Sequence, residues 1–172
     1  MAAASASGQR VEVVRGRLDA ALTGNLVAFW TGHGVLDEAT ARARLGEVIC
    51  VRLGPGGEVV GVNSAFPDEA PVVGRRFWIY RRFLSPRADA EAEREMLEAA
   101  RAELERGFTG APGEPVGLCV LVADRALIAR RPEAVWPLGD VSARWPGGGL
   151  VFAGYTDSGV QVRVSYFEGA RI

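Results

Sequence analysis

The sequence predicts an α/β domain built on a mixed, mostly antiparallel sheet with helices on both faces. Three observations carry this reading. Apolar, β-branched runs come in pairs joined by short glycine-rich turns, the signature of hairpins. A single long run rich in Ala, Glu, Leu and Arg lies between such groups and reads as a crossover helix. The chain has 172 residues, 48% hydrophobic and 24% charged, an ordinary globular composition with enough length to bury a core.

Residues 1–9 are small and polar and are expected to be a disordered tail, with 10–172 forming one domain. Over 11–18, Val11 and Val13 alternate with charges like a short strand. Over 19–30, Leu22, Leu26, Phe29 and Trp30 recur at helical spacing, and Gly32 and Gly34 then break the pattern. Asp37 is a good N-cap for a short helix over 38–45, which Gly46 ends. The run 47–52 is apolar enough to be a buried strand. Gly54-Pro55-Gly56-Gly57 turns it back, and 58–66 is its hairpin partner. Two prolines and two acids make 67–73 a loop. Aromatic and β-branched residues over 75–84 give a third strand, which Ser85-Pro86 stops. The strongest helix spans 88–106. Leu97, Ala100 and Leu104 form its apolar stripe, with Arg94–Glu98 and Arg101–Glu105 as pairs on the wet side. After a Gly/Pro loop, 116–123 is the most apolar run and so a central strand, and a short helix over 125–131 precedes Pro132. A stretch rich in Trp, Pro and Gly leads to a final hairpin, 150–155 and 160–167, around Asp157-Ser158-Gly159.

Composition excludes several function classes. A formal charge of -1 argues against a dedicated nucleic-acid binder, which carries a basic excess. All 20 basic residues are arginine, which with abundant Ala and Gly points to GC-rich bacterial coding. Without lysine, Schiff-base and lysine general-base chemistry is impossible. Cys50 and Cys119 each sit in an apolar run and read as buried small hydrophobes in a reducing, cytoplasmic compartment. One histidine, His33, leaves no metal-ligand spacing. No segment is long and apolar enough to cross a membrane, so no membrane partner is expected.

Where the third strand meets the long helix, the sequence reads Arg87-Ala88-Asp89-Ala90-Glu91-Ala92. At this place, and in the order of nearly all its elements, the chain resembles the GNAT superfamily of N-acyltransferases. Two helices precede a three-stranded meander, a long helix follows, and a central strand, a short helix and a C-terminal hairpin complete the order. The family's loop there has the form Arg/Gln-x-x-Gly-x-Gly/Ala and offers backbone amides and a helix N-terminus to a coenzyme A pyrophosphate. The resemblance therefore implies acetyl-CoA or another acyl-CoA as cofactor, held by Phe83, Leu84, Arg87, Ala88, Ala90 and Ala92. Arg87 and Ala92 fit the form, but Ala90 stands where the family prefers glycine. Asp89, Glu91 and Glu93 surround the phosphate position, where they compete with an anion and equally cap the helix. Three readings stay open: an acyl-CoA enzyme with its acids turned to solvent, a transferase using an aminoacyl-tRNA or carrier protein, or a non-catalytic binding domain.

Acyl transfer to an amine needs a proton acceptor, an oxyanion donor and an acid for the leaving group. In the family the acid is often a tyrosine beyond the central strand, which makes Tyr155 and Tyr166 the catalytic candidates; each reads more readily as a structural aromatic. On the third strand, alternation puts Arg76, Trp78, Tyr80 and Arg82 on one face and Phe77, Ile79, Arg81 and Phe83 on the other. Four arginines there either grip an anionic substrate or nucleotide, or lie at strand ends and pair with Glu58, Asp68 and Glu69. Asn63 and Ser64 are polar in an apolar setting and mark either a substrate contact or a bulge. The substrate candidates are thus Asn63, Trp78, Tyr80 and Arg82. His33 reads as a surface residue, and Asp19, Asp124 and Glu168 as caps or surface charges. Trp30, Trp78, Trp136 and Trp145 read as core, the last two also as a pocket wall. The expected activity is acylation of an amine on a small molecule. A homodimer is compatible with the sequence, which does not decide the oligomeric state.

Overall fold

The structure is a computed structural model that describes residues 8–138 and 149–171. In chain order the elements are β1 Arg10–Val13, α1 Ala20–Gly32, α2 Glu38–Arg44, β2 Val48–Leu53, β3 Val59–Ala70, β4 Arg75–Leu84 and α3 Ala92–Arg106. They continue with β5 Gly117–Val122, α4 Arg125–Arg130, β6 Val135–Pro137, β7 Gly149–Tyr155 and β8 Gln161–Tyr166. The strand order is β1-β2-β3-β4-β5-β8-β7-β6. Parallel pairing occurs between β4 and β5, and β1–β2, β2–β3, β5–β8, β6–β7 and β7–β8 are antiparallel. The sheet is thus mixed and mostly antiparallel, as the sequence predicts. The described residues fall into two compact units, one within Met1–Ala65 and Arg82–Glu103, the other within Phe66–Arg81 and Leu104–Ile172.

In the first unit, helices cover both faces of β2 and β3. Asp19 caps α1 by accepting the Leu22 N–H at 2.7 Å, and Asp37 caps α2 through Thr40 at 2.9 Å. From α1, Leu26, Val27, Phe29 and Trp30 pack with Ala41 of α2 and with Val48, Val51, Leu53 and Val62 of the strands. The alternate residues of those strands meet α3 instead. At Gly61 a Cβ would lie 2.6 Å from Leu84 Cδ2 and 3.2 Å from Met96 Sδ, so the glycine is what lets α3 come close. Beside it, Asn63 accepts the Cys50 N–H at 2.8 Å and donates to the Met96 carbonyl at 2.8 Å. The β2–β3 register shifts between Val48 and Cys50, so the Asn63 amide takes the place of a ladder bond at a bulge.

In the second unit the apolar run of 116–123 becomes β5. Cys119 packs with Phe77, Ile79, Val162 and Val164, and with Phe66 and Tyr166 at the margin. Along β8 the alternation separates Val162 and Val164 from Gln161, Arg163 and Ser165, which are also buried. Gly117 pairs with Tyr166. A Cβ on Gly117 would overlap the Ser165 carbonyl oxygen and lie 2.9 Å from Tyr166 Cα and 3.0 Å from Phe77 Cε1.

Four boundaries differ from expectation. Strand β3 runs on through Pro67, Asp68 and Glu69 to Ala70, where a loop was expected. Its pairing with β2 ends at Ser64, so the missing N–H of Pro67 costs no bond on that side. Helix α3 begins at Ala92 rather than 88, because residues 86–91 form turns in which Ala88 donates to the Ser85 carbonyl. The short β6 was read as irregular, since three residues ending in proline carry no period. Gln9, placed in the tail by the sequence, is 8% exposed; residues 1–7 lie outside the described residues.

Two outcomes follow. Gly117→Ala should lower the unfolding free energy by about 3 kcal/mol, since the contact is with backbone that cannot move aside; urea denaturation measures this. Burial pushes both Cys50 and Cys119 up to about 12, from a starting value of 9.0. The native state therefore holds these protons more tightly than the unfolded chain. The corresponding stability is present below pH 9 and is lost as pH rises through about 12. The urea midpoint should fall above pH 9, and Ellman's reagent should label neither thiol until the protein unfolds.

Candidate functional site

The loop between β4 and α3 is organised by a buried cation. Arg52 on β2 has a fully buried side chain, and its guanidinium meets Asp89 through two bonds of 2.7 and 2.6 Å and also meets Glu95. Burial opposes the charge of Arg52. The hydrogen bonds of Glu95 and Asp89 more than offset it, so its pKa lies above the ordinary arginine value. Gln9 completes the cluster. Its Oε1 accepts from Arg52 Nε at 3.3 Å and from the Asp89 N–H at 3.2 Å, and its Nε2 donates to the Arg87 carbonyl at 2.7 Å.

The other acids of the loop are paired as well. Glu91 meets Arg94 at 2.9 Å, and Arg94 also meets Glu98 at 3.0 Å. Glu93 accepts from Arg82 Nε at 2.9 Å, and Glu58 lies 3.4 Å from Arg87. Glu91 and Glu93 do face solvent, each with an arginine partner, whereas Asp89 turns inward to Arg52. Sequence reasoning missed Arg52, whose signal was a charge inside an otherwise apolar strand. The loop amides are largely used. Arg87 N–H donates to Ser85 Oγ at 3.3 Å, Ala88 N–H to the Ser85 carbonyl at 3.0 Å, and Ala92 N–H to the Asp89 carbonyl at 3.2 Å. Ala92 is buried, Ala88 half-buried, and Ala90 and Arg87 exposed. Phe83 and Leu84 are half-buried. Phe83 packs 5.3 Å from the rings of both Phe29 and His33, and His33 Nδ1 is 2.8 Å from the Phe29 carbonyl.

Of the substrate candidates, Asn63 is 1% exposed and its amide serves the bulge and α3. Tyr80 is likewise buried, at 5%. Arg82 faces Glu93, not the acids suggested by the sequence. Trp78 is half-buried. The remaining arginines of β4 do lie at strand ends or on neighbouring groups. Arg76 donates to the Gly113 carbonyl at 3.4 Å, and Arg81 stacks 4.4 Å from the centre of the Phe66 ring.

The two tyrosines are not brought together. Tyr166 pairs with Gly117 at one end of the β5–β8 ladder, and its ring sits 5.2 Å from Phe77. Tyr155 stands opposite Gln161 at the other end, about 16 Å away along the strand. Tyr155 is 50% exposed. Its hydroxyl is 3.3 Å from Gln161 Nε2, and Gln161 Oε1 accepts from Arg163 Nε at 2.6 Å. Arginine can only donate, which fixes the amide: Nε2 must face the phenol and donate to it. Tyr155 is thereby an acceptor on that side, and its own proton points elsewhere. Arg163 is itself buried, 3.7 Å over the Trp136 ring, and it donates to the Glu133 carbonyl at 2.9 Å. Burial, with Arg131 nearby, pushes its pKa down to about 10. Trp145 lies outside the described residues. Among the described residues, no group of three His, Cys, Asp or Glu could hold a metal ion, and no helix is long and apolar enough to cross a membrane.

Arg52→Met should cost about 3 kcal/mol in urea denaturation at pH 7, because it strands two partly buried carboxylates. Glu91→Gln removes one exposed pair and should change stability by less than about 1 kcal/mol.

No protein-family model matches the sequence, and no curated protein matches it. Solved structures do match. One is a GNAT superfamily phosphinothricin acetyltransferase from Sinorhizobium meliloti in complex with acetyl-CoA. It has a TM-score of 0.55 at 16% identity and covers 94% of this chain and 90% of its own. The acetyl-CoA complex of yncA from Salmonella typhimurium, itself a putative acetyltransferase, gives a TM-score of 0.53 at 13% identity, over 95% of this chain and 96% of that one. A putative phosphinothricin N-acetyltransferase gives 0.51 at 8% identity, over 93% and 99%. With near-complete coverage on both sides, the chain has a GNAT-like fold.

Proposed function

We propose that this chain is an acyltransferase that acylates an amine of a small molecule, with Tyr155 as the acid that protonates the donor's leaving group. The observation carrying this reading is the fixed hydrogen-bond direction at Tyr155. Gln161, held by Arg163, donates to the phenol oxygen, so the phenol proton is directed away from Gln161 on an exposed side chain. Position agrees. The β4–β5 ladder ends at Tyr80 and Val120, whereas β5 and β8 stay paired to Val122 and Gln161. Tyr155 therefore stands at the end of β5 that lies beyond the last β4–β5 pair, while β4 itself runs on to Leu84. Tyr166 is at the closed end, against Phe77.

In the proposed step the amine nitrogen attacks the acyl carbon and the C–N bond forms. The bond from that carbon to the leaving group breaks, and the leaving group takes the Tyr155 proton. The amine's own proton passes to water, and Tyr155 is reprotonated from solvent. The closed loop favours a second reading, a binding domain without turnover, whose signature is no transfer from any donor.

The test is acyl transfer from thioester donors to a panel of small amines. Tyr155→Phe should lower kcat by about 100-fold or more with KM little changed, and Tyr166→Phe should leave kcat within about twofold. Gln161→Leu should lower kcat in the same direction by a smaller factor. Full activity in Tyr155→Phe would remove it from the mechanism.

A further inference from the structure

The fold's relatives in complex with acetyl-CoA make this loop the natural place to look for a nucleotide diphosphate, and the residues present do not fit one. A diphosphate is held by unpaired amides and neighbouring positive charge. Here the amides of Arg87, Ala88, Asp89 and Ala92 are committed to Ser85 Oγ, the Ser85 carbonyl, Gln9 Oε1 and the Asp89 carbonyl. The charge is also of the wrong sign. Arg52, Arg82, Arg87 and Arg94 face Asp89, Glu91, Glu93, Glu95, Glu58 and Glu98, four cations against six carboxylates. Opening the loop offers no escape. Freeing the Asp89 amide breaks its bond to Gln9, and withdrawing the Asp89 carboxylate leaves the buried Arg52 guanidinium short of a counter-charge.

We infer that the loop is a structural lock with no grip on a nucleotide diphosphate, so that an acyl thioester needs no nucleotide to serve as the donor. The donor class rests on the acyltransferase reading above; the lock rests on the loop geometry alone.

Two measurements test this, and they fail separately. The ¹⁵N-labelled protein is titrated with inorganic pyrophosphate and then with acetyl-CoA, each to millimolar concentration, while the amide signals of all six residues from Arg87 to Ala92 are followed. They should not move; saturable shifts at these amides with either probe would overturn the lock. Transfer is then measured from acetyl-CoA and from S-acetyl-N-acetylcysteamine, a thioester with no phosphate. Their kcat/KM values should agree within about threefold, and a 100-fold preference for acetyl-CoA would overturn the donor assignment. Transfer from neither would overturn the acyltransferase reading and the donor class with it, while the amide signals still decide the lock.

Discussion

A guanidinium removed from water must be matched by charge and by hydrogen-bond acceptors, and the first unit is arranged around meeting that demand at Arg52. Leaving such a group unmatched costs several kcal/mol. Asp89 and Glu95 supply the charge and Gln9 supplies a neutral acceptor, so three separated segments converge on one side chain. The loop between β4 and α3 inherits its shape from this. Asp89 points inward because Arg52 is there, and the amides around it fall into turn bonds. α3 then starts at Ala92, a turn later than its composition suggests.

The same unit shows how a few small or polar groups make room for this arrangement. Gly61 admits Met96 and Leu84 next to the Arg52 side chain. Asn63 replaces a ladder bond at the bulge and ties the strand to α3. The result covers both faces of β2 and β3 with helices, while the cation stays dry.

The second unit handles a buried arginine in a different way. Among the described residues, Arg163 lies on Trp136 and donates to backbone carbonyls and Gln161. Its charge is less comfortable, which is why its pKa falls where that of Arg52 rises. The arrangement orients Gln161, and Gln161 in turn orients the exposed phenol of Tyr155. A buried structural charge thus sets the hydrogen-bond direction of a surface group two residues removed along a chain of contacts. That is the link from packing to chemistry in the proposed reaction.

Much of the fold could be read from local signals. The caps at Asp19, Asp37 and Asp124, the hairpin turn at Gly54-Pro55-Gly56-Gly57 and the apolar run of β5 are short-range features, and they stand where the sequence puts them. The absence of lysine and the two apolar settings of cysteine likewise follow from composition and neighbours alone. The site was legible only in part. The sequence places Asp89, Glu91 and Glu93 at the loop, but whether they repel a phosphate depends on what faces them. Their partners Arg52 and Arg82 come from strands 37 and 11 residues away. The place of Asn63 at a bulge, and Tyr155 as the more exposed of the two phenols, were likewise decided by register. Caps, turns and apolar periods are set by neighbours within a few residues, so sequence alone determined them. Charge pairing and exposure depend on which distant side chains the sheet brings into contact, and only the tertiary structure decides that.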